Sequence, residues 1–90
     1  MTKYVVINER LGEDRDGNFI DRECLYVFSG DIIHREFAHN LSTRSRIKAG
    51  GFVGIQSDGK HYCYGKSESL NLPSRPEDTD LLRILLGENL

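Results

Sequence analysis

His61 and Cys63 stand two residues apart in a stretch that reads as a β-strand, so their side chains share a face. A thiol beside an imidazole is the one pairing in this chain that could make a nucleophile. No third group is spaced to orient the imidazole, and the face they share is aliphatic, where a cysteine behaves as a small hydrophobe. Cys63 and Cys24 are therefore read as reduced core thiols. They lack the dense spacing of a disulfide scaffold. His34 and His39 are five residues apart on an expected helix, about 140° around its axis, so they do not converge on one metal ion. Two ligands would in any case fall short of a structural zinc site. His34 is expected at the surface of the first turn, and His39 beside Glu36. The sequence contains no Cys-x-x-Cys pair, no His-Glu-x-x-His and no Gly-x-Ser-x-Gly. Gly50-Gly51-Phe52-Val53-Gly54 lacks the lysine and following helix of a phosphate loop. These observations disfavour an enzyme, and no cofactor or metal is expected.

A different chemistry is offered by Ser42-Thr43-Arg44-Ser45-Arg46-Ile47-Lys48, the one concentrated basic stretch. Arginine forks match phosphate oxygens and hydroxyls add hydrogen bonds, so Arg44, Arg46 and Lys48 are candidate contacts to a nucleic-acid backbone. The competing reading is an ordinary solvated connector. Charge is distributed unevenly: residues 1–36 carry −3, residues 37–66 carry +4 and residues 67–90 carry −3, giving a net −2.

These side chains must be positioned by a single domain spanning residues 1–90. Lys3 to Asn8 and Phe19 to Phe28 read as strands, joined by a long tip containing Gly12 and Asp16-Gly17. Asp-Gly favours the positive φ of a tight hairpin turn. Ser29 or Asp31 is placed to cap a helix with Ile33, Phe37, Ala38 and Leu41 at helical spacing, ending near Asn40. Phe52 to Gln56 and Lys60 to Gly65 flank a second turn, Ser57-Asp58-Gly59. Ser74-Arg75-Pro76-Glu77 has the form of a capping box and starts a last helix near Arg75, which Gly87 ends. Its leucines and Ile84 make a stripe too wide for one contact, which implies burial against both the sheet and a neighbour. The expected fold is an α+β two-layer sandwich of order ββαββα, with a four-stranded, mainly antiparallel sheet and two helices on one face.

Alternation along these strands assigns Tyr4, Tyr26, Phe28, Phe52, Tyr62 and Tyr64 to one sheet face. Such a face serves as half of a core, as a protein interface, or as a platform on which unpaired bases stack. A sequence pI near 5.9 opposes the last use, since nucleic-acid binders draw most of their affinity from phosphate neutralisation. The reading is a small protein-interaction module that self-associates as a homodimer, or binds a protein partner, through the six aromatics or the C-terminal helix. The alternative is a single-stranded nucleic-acid binder using the same rings with Arg44, Arg46 and Lys48. A thiol enzyme around Cys63 and His61 is the least favoured class. A short strand at the amino terminus in place of an apolar signal segment, and no stretch of membrane-spanning length, give a cytoplasmic expectation without membrane attachment.

Overall fold

The computed structural model describes residues 1–88. The chain folds as β1 (Thr2–Glu13), β2 (Phe19–Ser29), α1 (His34–Leu41), β3 (Ile47–Ile55), β4 (His61–Tyr64), β5 (Lys66–Ser67), β6 (Leu72–Pro73) and α2 (Asp78–Leu86). The first four strands make one antiparallel sheet in the order β2-β1-β3-β4, and β5 and β6 pair in a small separate ladder. The α+β class and the ββαββα order are as the sequence leads one to expect, with the β5–β6 pair as an addition. No helix is long and apolar enough to cross a membrane among the described residues.

Both Asp-Gly turns form. Gly17 and Gly59 adopt left-handed φ values of 81° and 87°. The Asp14 carboxylate accepts from the amides of Asp16 and Asn18, which closes the first tip. In the second turn the Asp58 carboxylate accepts from the Lys60 amide.

The placement of the helices departs from the expectation. Tyr4, Val5, Val6 and Ile7 in central β1 are all 0% exposed. Consecutive strand residues point to opposite faces, so a run buried at every position requires both faces to be covered. On one face Val5, Ile7 and Phe28 pack with Ala38 and Phe37 of α1 and with Leu70 and Leu72 of the β5–β6 segment. On the other, Tyr4, Val6, Leu25 and Ala49 pack beneath Leu82 of α2. Full burial of a leucine such as Leu82 contributes about 1.5–3 kcal/mol, so each face is a substantial part of the core.

Helix starts also differ. α1 begins at His34 without a side-chain cap; Ser29 instead closes a turn to the amides of Asp31 and Ile32. α2 begins at Asp78, and the Ser74 hydroxyl donates to the Gly65 carbonyl rather than capping the helix. Strand β3 starts at Ile47 rather than Phe52, so Gly50 and Gly51 lie inside the sheet. A Cβ on Gly51 would stand 2.5 Å from the Tyr64 carbonyl oxygen, which explains a glycine in mid-strand.

Hairpin β1–β2 outruns the sheet. β3 pairs with β1 only from Thr2 to Ile7, whereas β1 and β2 remain paired out to Glu13 and Phe19. The far half of the hairpin is therefore a two-stranded arm, bent by a register shift between Arg10 and Gly12. Its exposed apolar residues include Leu11, Phe19 and Ile20.

Candidate functional site

Of the six aromatic residues assigned to one face, five share it. Cross-strand partners always lie on the same face, and the register pairs Val5 with Tyr26, Lys3 with both Phe28 and Phe52, Phe52 with Tyr64, and Gly54 with Tyr62. Tyr4 pairs with Val27 and Gly51 and therefore points to the opposite face. Alternation fixes faces within a strand, but only the register relates one strand to the next.

The five are not an open platform. Rings stack in a continuous series from the core outward: Phe37 on Phe28 at 4.1 Å, Phe28 edge-on to His34, His34 edge-on to Phe52, then Tyr64 and Tyr62. His34 is thus a core residue rather than a surface one. It is 4% exposed, and its Nε2 lies 2.7 Å from the Gly51 carbonyl oxygen. Burial lowers its pKa, opposed by that hydrogen bond and reinforced by the charge of Lys3. At the outer end Tyr64 is exposed and Tyr62 half-buried, its ring lying where a Cβ on Gly54 would stand. Tyr26 is half-buried and donates to Glu9.

On the α2 face the Tyr4 hydroxyl donates to Asp78 Oδ2 at 2.6 Å, and both residues are 0% exposed. Asp78 also accepts from the Arg75 amide and guanidinium, and Arg75 forms a two-pronged pair with Glu23 at 2.9 Å on each prong. The aspartate thus anchors the start of α2 to β1 and β2. Burial, with the Asp78 carboxylate nearby, raises the Tyr4 pKa, and the Arg75 guanidinium lowers that of Glu23. Cys63 lies against this group, and burial pushes its thiol up to about 12. Its neighbour His61 is engaged by Glu88. A thiol held protonated beside a carboxylate is a poor nucleophile, whatever imidazole stands near it.

The basic turn and the outer tyrosines do not form one surface. Arg44–Arg46 is a 3₁₀ turn leading into β3 at Ile47, while Tyr62 pairs with Gly54 at the far end of that strand. About eight residues of extended chain separate Arg46 from the partner of Tyr62 and about six from Phe52, the partner of Tyr64, on the order of 20–25 Å. Arg46 donates to the Asn8 carbonyl and Lys48 to the Ser45 carbonyl, so two of the three cations serve the local backbone.

The two outer edges of the sheet contrast. Side chains of α2 and of Glu88, two residues beyond its end, close β4: the His61 amide donates to Glu88, the Cys63 amide to Thr79, and the His61 carbonyl accepts from Arg83. Among the described residues β2 has β1 as its only strand neighbour, and its 11 residues leave one long side without a strand partner. Beside that side runs an apolar groove between Leu25 of the strand and Leu81, Ile84 and Leu85 of α2. Ile84 is 63% exposed and Leu85 55%. The wide leucine stripe of the last helix signalled this flank from sequence; the open strand edge beside it had no signal short of strand order.

Compared with models of known protein families, with curated proteins and with solved structures, the chain matches none of them.

Proposed function

We propose that this chain is a protein-interaction module that self-associates through the outer edge of β2 and the apolar flank of α2. The observation that carries the reading is the coincidence of two unmet needs at one place. An 11-residue strand offers unpaired amides and carbonyls, and exposed Ile84 and Leu85 stand alongside it. Edge strands template pairing with another chain unless blocked, and a contiguous apolar flank supplies the accompanying hydrophobic contact. The aromatic face supports this role less well, because α1 covers its centre and, of its five rings, Phe28 is buried and Tyr64 alone is exposed, with Tyr62 beside it half-buried. Separation of the basic turn from those tyrosines likewise weighs against a nucleic-acid platform.

The test is solution mass by light scattering over a concentration series, with the double variant Ile84→Glu, Leu85→Glu beside the parent. Both side chains are mostly exposed, so the variant should keep the parent's circular dichroism and melting cooperativity. A concentration-dependent dimer in the parent and a tenfold or greater weakening in the variant are expected, corresponding to about 1.4 kcal/mol or more. A parent that stays monomeric throughout, or a variant as fully assembled as the parent, would defeat the reading.

A further inference from the structure

We infer that the partner on the β2 edge is a second copy of this chain, joined antiparallel about a two-fold axis at Cys24, so that two sheets become one of eight strands. This rests on the self-association proposed above and adds its symmetry and register.

The first argument is length. Cys24 is the midpoint of β2, with five residues on either side. The half from Phe19 to Glu23 belongs to the two-stranded arm and has no third strand, while the half from Leu25 to Ser29 belongs to the four-stranded body. Two-stranded ribbons are marginal in water. Antiparallel pairing about Cys24 lays the arm of each copy along the body of the other, gives each arm a third strand, and uses all 11 residues.

The second argument is charge. An axis perpendicular to the sheet keeps like faces together and pairs residues whose numbers sum to an even value. Centred on Arg22, it would oppose Arg22 to Arg22 and Asp21 to Glu23. Centred on Glu23, it would oppose two Glu23 carboxylates and bring together the two Arg75 guanidiniums that hold them. Like charges directly opposite destabilise a strand pair. Centred on Cys24, the pairs are Asp21 with Val27, Arg22 with Tyr26 and Ile20 with Phe28, and no like charges meet. An axis at Leu25 or beyond also avoids the clash but pairs fewer residues. The same axis leaves both α2 helices on one face, with Ile84 and Leu85 of each copy turned toward the other across the junction.

Opposed residues of an antiparallel pair have Cα atoms about 4.5–5.5 Å apart, within the range a disulfide spans. The native cysteine therefore reports the register. In a Cys63→Ser background, mild oxidation with copper phenanthroline should convert the protein to a Cys24-linked dimer. The yield should fall at least tenfold when Ile84→Glu and Leu85→Glu are added. A second reporter uses exposed positions: Asp21→Cys with Val27→Cys, in a Cys24→Ser, Cys63→Ser background, should also link two copies. If light scattering shows a dimer that the helix substitutions weaken, yet neither reporter links, the register is overturned while the surface stands. Linkage by Cys24 at a rate the helix substitutions do not change would be collisional, and would overturn the inference. A monomer that never links overturns both this inference and the reading beneath it.

Discussion

Replacing Tyr4 with phenylalanine removes one oxygen atom from the fully buried junction between β1 and α2. That oxygen donates at 2.6 Å to an Asp78 carboxylate that is itself 0% exposed, so neither group has water as an alternative partner. A hydrogen bond to a charged group contributes about 1.5–3 kcal/mol net, and Tyr4→Phe should cost an amount in that range. The carboxylate retains its bonds from Arg75, which keeps the loss from being larger. Asp78→Ala should cost more, about 3–5 kcal/mol, because it strands a buried hydroxyl and removes the charge that Arg75 was built around. For a domain of this size each kcal/mol lowers the melting temperature by about 4–8 °C, so the two variants should be well separated. Urea unfolding followed by circular dichroism, at one fixed protein concentration so that assembly does not shift the midpoint, would supply the free energies. The double variant should be less destabilised than the sum of the singles, since one interaction cannot be lost twice. Tyr4→Phe within about 0.5 kcal/mol of the parent, or strict additivity in the cycle, would refute the claim that this bond holds α2 to the sheet.

Two further outcomes follow from the same core. Burial keeps His34 neutral in the folded chain, so in acid the unfolded chain takes up a proton that the folded chain refuses. Stability should be full above the ordinary value of 6.5, decline as pH falls below it, and level off beneath the lowered folded value. In His34→Gln, whose amide can still donate to the Gly51 carbonyl, that segment of the urea midpoint against pH should flatten; an unchanged slope would assign it to other groups. With its thiol pushed up to about 12, Cys63 should alkylate with iodoacetamide at neutral pH at least tenfold more slowly in the folded protein than in urea. Equal rates in the two states, read by mass spectrometry of the Cys63 peptide, would revive the thiolate chemistry that burial disfavours.

Much of this architecture was legible because local signals agreed. The Asp-Gly turns, the period-two strands and the leucine-rich last helix each pointed to the element found there. What misled was relative register. Tyr4-Val5-Val6-Ile7 has no polar face, and that continuous run was the sign that β1 would be covered on both sides, which a two-layer reading overlooks. His34 looked like a solvated first-turn residue because nothing local distinguishes it; only the packing of α1 on β1 and β2 brings its ring between Phe28 and Phe52. The network of Glu23, Arg75, Asp78 and Tyr4 joins residues up to 74 positions apart and leaves no periodic trace. Asp78 was hidden by a stronger-looking pattern, since Ser74-Arg75-Pro76-Glu77 resembles a capping box while the aspartate one residue later bonds back to the Arg75 amide.

The unequal treatment of the two sheet edges bears most directly on function. Soluble proteins blunt exposed edges with short strands, lysine, proline, bulges or a covering element. β4 is four residues long and has Thr79, Arg83 and Glu88 bonded to its outward groups, so it is both short and covered. β2 runs for 11 residues and contains neither lysine nor proline, and the register shift of its hairpin falls on the β1 side between Arg10 and Gly12. Its one protective feature is Asp21-Arg22-Glu23, confined to half of the strand. Charges so placed do not forbid pairing. They penalise the registers centred on Arg22 and Glu23 while leaving the one centred on Cys24 without opposed like charges. A charge cluster that shut the edge to all partners would be spread along it, whereas one that disfavours only the alignments centred within it would sit to one side of the proposed axis, as Asp21-Arg22-Glu23 does.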